Sequence, residues 1–133
     1  MNNDVIFREL GDRLGVEMSF YHGATVLSDN DNDGREFWFE LACDDSLLIM
    51  HTEIASAAAV AGSNEIRQWL TLNTRPDIMK GAWLGIEANS KSLRLCNSTI
   101  LDIATSEKIE EVFKDFSALT EKVDDEAKRL IIN

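Results

Sequence analysis

The sequence predicts an α+β fold with element order α-β-β-β-α-β-β-α, in which an antiparallel sheet packs against helices. Three observations predict it. Apolar residues recur at helical spacing near both ends and once near the middle. Between these stretches lie short runs that alternate apolar and polar residues. Turns rich in Asp, Asn, Ser and Gly separate the runs, and no internal repeat or linker interrupts them.

The first helix follows Asn3 or Asp4 as a cap, carries Val5, Ile6, Leu10 and Leu14 as an apolar stripe, and stops at Gly15. A three-stranded meander comes next. Its strands are Ala24 to Ser28, then REFWFELA after the DNDNDG turn, then LLIMHTEI after Cys43-Asp44-Asp45-Ser46. The alanine-rich stretch from Ala55 to Gly62 is either a loop or the front of the next helix. Ser63 caps that helix, with Ile66, Trp69, Leu70 and Asn73 at helical spacing, and Pro76 disturbs or ends it before Gly81. A hairpin follows, with Ala82, Leu84, Ile86 and Ala88 on one face, a turn at Asn89-Ser90, and Leu93 and Leu95 returning. Thr105 or Ser106 opens the last helix, and Glu107, Glu110 and Glu111 suit its positive end. Its buried stripe is Ile109, Val112, Phe113, Phe116, Leu119, Val123, Ala127 and Leu130.

At 133 residues, 44% of them apolar, one domain spanning residues 1–133 is expected. Thirteen basic residues against twenty-four acidic ones give a net charge of −11 and a pI near 4.5. Such a surface repels phosphate backbones, so nucleic acid is not an expected partner, whereas contact with basic or apolar partners suits it. No apolar run approaches the ~20 residues that span a bilayer, and MNNDVIFREL carries no secretory signal. Cys43 and Cys96 stand alone, outside any metal-ligand spacing, and are expected to be reduced thiols.

The best motif match is Asp29 to Glu40, DNDNDGREFWFE, which fits the calcium-loop template D-x-[DN]-x-[DN]-G-x₅-E at every required position. Its surroundings argue against that reading. Gly23, Thr25 and Val26 are poor material for an entering helix, and Phe37 at the ninth loop position offers no ligand. If residues 34–41 form a strand, Glu40 lies roughly 23 Å beyond Asp33, while calcium needs its oxygens within about 2.6 Å. A polar hairpin turn is the preferred reading, with a calcium-binding protein as the alternative. His22 and His51 have no catalytic partner at a recognisable spacing, and neither a phosphate loop nor a nucleophile motif is present. No catalytic residue, metal ligand or cofactor is therefore assigned. Trp38 and Trp83 fall on the faces opposite Phe39 and Leu84, and one small sheet cannot easily bury both faces. Apolar residues left over mark a contact surface.

With this order in place, the chain resembles a class I chaperone of bacterial type III secretion, the CesT/SycE-type family. Leu70-Thr71-Leu72-Asn73 resembles the L-x-L-N ending of the family's middle helix. Gly81-Ala82-Trp83-Leu84-Gly85-Ile86 resembles the strand after it, and Ser92-Leu93-Arg94-Leu95 the next. The resemblance implies a non-catalytic homodimer in the bacterial cytoplasm, with a role in virulence. Such a dimer would bind the N-terminal segment of a secreted effector and keep it soluble. It further implies effector contacts at Val5, Ile6, Leu10, Phe39 and Leu41, and a dimer interface at Ile66, Trp69, Leu70 and Trp83. A binding or regulatory module of the same fold outside secretion is the alternative.

Overall fold

A computed structural model of the chain describes residues 3–20 and 22–132, with side chains as far as residue 129, so the expected burial of Leu130 lies outside the described residues. Helix α1 spans Asp4–Leu14, strand β1 Ala24–Asp29, β2 Arg35–Ala42 and β3 Leu47–Ala55. Helices α2 (Ser63–Thr71) and α3 (Pro76–Met79) precede β4 (Trp83–Ile86), β5 (Leu93–Ile100) and the long α4 (Ser106–Ile132). The strands form one five-stranded sheet in the order β1-β2-β3-β5-β4. The α+β prediction and the order of its elements hold, with one addition at Pro76.

That proline does not end a helix but starts one. It occupies the first turn of α3, where its missing N–H costs nothing, and Arg75 before it is pushed out of the helical region (φ −113°, ψ 81°). The alanine-rich stretch is neither loop nor helix front alone: Ala58–Val60 form a single 3₁₀ turn ahead of α2.

Contacts gather the residues into two units, Met1–Met50 with Ser98–Ser117 and His51–Asn97 with Ala118–Asn133. In the first, Phe37 and Phe39 of β2 are fully buried, and their rings meet Phe113 of α4 at 5.2 and 5.6 Å. Phe37 also meets Phe116 edge-on at 5.8 Å. Each such ring removes apolar surface from water worth about 1.5–3 kcal/mol. Edge-on geometry adds about 0.5–1.5 kcal/mol per pair. Arg13 of α1 reaches Glu107 and Glu110 at 3.0 and 3.4 Å, while Ser106 Oγ donates to Glu9. In the second unit the buried set includes Trp69, Leu72, Met79, Leu84, Leu93, Leu95 and Val123.

The turn Cys43–Ser46 is confirmed, and Cys43, Asp44 and Asp45 all take positive φ within it. Both cysteines are free thiols. Strand β4 is shorter than the alternation suggests. Ile86, expected beside Leu84 on a buried face, is 45% exposed, and Glu87 has already left the strand. The Glu87 carboxylate instead accepts the N–H groups of Ser90 and Asn89, which hold its pKa down to about 2.

Candidate functional site

The helical stripe of α1 sits one residue away from where the apolar spacing placed it. Phe7, Leu10 and Gly11 are the buried residues, whereas Val5 is more than half exposed and Ile6 is half-buried. Gly15 then takes a left-handed conformation (φ 72°), and the Val16 N–H closes onto the Gly11 carbonyl at 2.9 Å. This sharp stop sends residues 16–20 back along the helix. Gly11 makes the return possible, since a Cβ there would stand 2.6 Å from the Val16 carbonyl oxygen and 3.3 Å from Met18 Cγ. Phe20 seats against Phe7 with ring centroids 4.5 Å apart.

Between α1 and this returning segment lies a groove of about 720 Å³. Phe7, Gly11, Val16, Met18 and Phe20 supply its apolar lining, and Asp4, Arg8, Asp12 and Glu17 its charged lining. None of the five residues expected to contact an effector lines it. Leu10 and Phe39 are fully buried, and Leu41 is half-buried on β2. The groove had a signal in the sequence: Val16, Met18 and Phe20 alternate with polar residues, a period-two pattern directly after the Gly15 stop.

A second apolar feature of this unit is the outward face of the β1–β2 pair. Val26 and Trp38 lie directly opposite each other in the antiparallel register, 41% and 39% exposed. Glu36 and Glu40, opposite Ser28 and Ala24, share that face by alternation.

The same register decides the acidic motif. Asp29 pairs with Arg35 at the turn, but Glu40 pairs with Ala24 at the far end of the hairpin. Glu40 lies five residues beyond Arg35, roughly 17 Å at a strand's rise, so Glu40 cannot close a loop around the aspartates. Asp29 is engaged in holding the turn. One carboxylate oxygen accepts the Asp31 N–H at 3.0 Å and the other accepts Ser117 Oγ–H at 2.7 Å. Asn32 Nδ2 adds bonds to the Ser117 carbonyl and hydroxyl.

In the second unit, the residues expected at a dimer interface divide by exposure. Trp69 is buried at 6%, Ile66 is half-buried, and Leu70 and Trp83 are 38% and 39% exposed. Asn73, the last residue of the LTLN stretch, clasps the strand beside them. Its amide nitrogen donates to the Leu84 carbonyl at 3.1 Å, and its oxygen accepts the Leu84 N–H at 2.8 Å. Leu84 faces Leu95 across the β4–β5 pair, and because its N–H and C=O bond to Asn73 they turn away from β5, toward the edge of the sheet. His51 accepts Arg94 Nε–H at its Nδ1 over 2.7 Å, a polar contact between β3 and β5.

Solved structures share this architecture. The ExsC–ExsE complex contains a chain with a TM-score of 0.74 at 14% identity, covering 91% of this chain and 90% of that one. The Yersinia pestis type III secretion chaperone SycH, solved with a fragment of YscM2, gives 0.65 at 9% identity, over 92% and 99% of the two chains. The ExoU–SpcU complex of Pseudomonas aeruginosa gives 0.63 at 14% identity, over 92% and 95%. At such identities these likenesses speak for the fold. A comparison with curated protein sequences returns no match. The family model for the Tir chaperone protein (CesT) family, however, matches residues 6–124, from the first turn of α1 deep into α4. With nearly every element of the fold inside that match, the chain belongs to the CesT family of chaperones.

Proposed function

We propose that the chain is a type III secretion chaperone that binds the N-terminal region of a cognate effector and keeps it soluble and competent for secretion. The family match over residues 6–124 carries this reading. Support comes from the similar chains solved with bound partners, among them the HopA1–SchA chaperone–effector complex. In this reading the whole chain acts as one module in the bacterial cytoplasm, as a homodimer, without catalysis or cofactor. Among the described residues no helix is long and apolar enough to cross a membrane.

The client lies on the first unit, which carries exposed Val5 and half-buried Ile6 and Leu41, while Leu10 and Phe39 belong to its core. Leu70 and Trp83 supply the exposed part of the dimer contact, and Trp69 and Ile66 back it. Strand addition and apolar pockets hold an extended client without folding it. Co-purification from the native host tests the proposal. The chain should sediment at twice its 14.9 kDa mass and retain one secreted protein. Leu70→Glu with Trp83→Glu should yield monomers, because two charges cannot be desolvated at an apolar contact. A strict monomer that retains no secreted protein refutes the reading.

A further inference from the structure

The charge of this chain is divided unevenly. Residues of the first unit include sixteen carboxylates and five basic side chains; those of the second include eight of each. The whole net charge of −11 therefore belongs to the unit that holds the α1 groove, and the other unit is neutral. The charged lining of the groove is three carboxylates, Asp4, Asp12 and Glu17, and one cation, Arg8. Three of the unit's remaining cations are engaged with carboxylates outside the groove: Arg13 with Glu107 and Glu110, Lys108 with Glu111, and Lys114 with Glu110.

We propose that the client segment seated in this groove is basic, with Lys or Arg flanking apolar anchors. The inference rests on the chaperone reading and names the chemistry of its partner. Val16, Met18 and Phe20 offer contact to apolar anchors, and a groove of about 720 Å³ has the size of an ordinary ligand site. A purely apolar segment would take the groove's carboxylates out of water and bring them no positive charge. An acidic segment would be repelled by the groove and by the unit around it. A basic amphipathic segment satisfies both linings, and the unit's field speeds its arrival.

Fluorescence titration of the full chain tests this with three synthetic peptides that share leucine positions and carry lysine, serine or glutamate between them. At about 50 mM salt the lysine peptide should bind roughly tenfold tighter than the serine peptide, and the advantage should shrink at about 500 mM. Asp12→Asn with Glu17→Gln should remove several-fold of that advantage. Asp31→Asn with Asp33→Asn, in the β1–β2 turn outside the groove, should leave it intact. Met18→Ser should weaken the lysine and serine peptides alike. Equal binding of those two peptides overturns the basic-client inference and leaves the chaperone reading standing. Equal losses from the groove and turn variants, no effect of Met18→Ser, or no peptide binding overturns the assignment to this groove. The chaperone reading itself is judged by co-purification.

Discussion

Gly11→Ala sets two calculable effects against each other. Gly11 is buried inside α1, and alanine in a helix interior is worth about 1 kcal/mol over glycine. Against that gain, the added Cβ would stand 2.6 Å from the Val16 carbonyl oxygen and 3.3 Å from Met18 Cγ. The methionine end can swing away, but the carbonyl is backbone, fixed by the neighbouring Val16 N–H bond to the Gly11 oxygen. Forcing a methyl group into such a contact costs about 1–3 kcal/mol, and it also disturbs the helix-ending turn, worth a further ~1 kcal/mol. The sum favours a net loss of about 1–3 kcal/mol. Urea unfolding reads it as a lower midpoint at unchanged slope. Ala118→Gly, at an exposed position of α4, calibrates the propensity scale in the same chain and should cost about 1 kcal/mol. If Gly11→Ala instead raises stability by about that amount, residues 16–18 do not lie over the helix and the groove has been misread.

Two further outcomes follow from polar contacts in the second unit. Asn73→Ala removes both bonds to the Leu84 backbone and should cost about 1–2 kcal/mol in urea unfolding. Asn73→Asp keeps the acceptor and loses the donor, so its loss should be smaller; equal stability of all three chains would show that the clasp contributes nothing. Glu87, with its folded pKa of about 2 set below the ordinary 4.5, stabilises the fold above the higher value and loses that contribution as pH falls toward the lower one. The melting temperatures of the native chain and Glu87→Gln should therefore differ near about pH 6 and converge near about pH 2. A gap that stays constant through this window contradicts the carboxylate's role in the turn.

The long helix and the meander were legible because their patterns are strong and local. Ile109, Phe113, Phe116 and Val123 keep a helical period, and Phe37 and Phe39 alternate with exposed Trp38. Pro76 was harder, because a proline that ends one helix and a proline that begins another leave the same mark in sequence. The turn after β4 misled for a different reason. Glu87 fits a strand's alternation, but its carboxylate competes for the N–H groups of Ser90 and Asn89 and pulls the chain into a turn. The neighbour relation of β3 and β5 has no local sign at all, since it joins strands separated by two helices. At the candidate site, hydrophobicity pointed to Val5 and Ile6, yet the helix rotates Phe7 and Gly11 into place. Only the path of residues 16–20 reveals why a glycine belongs there.

The bond from Ser117 to Asp29 has a consequence for how the chain meets its ionic surroundings. In a calcium loop the aspartates are gathered by an ion, so the loop's order varies with the concentration of that ion. Here the Ser117 hydroxyl on α4 holds Asp29, and the Asn32 amide in the turn ties the bend to the Ser117 carbonyl. The bend of the hairpin is thereby held by groups of the chain itself. A surface presented to a client gains constancy from one serine.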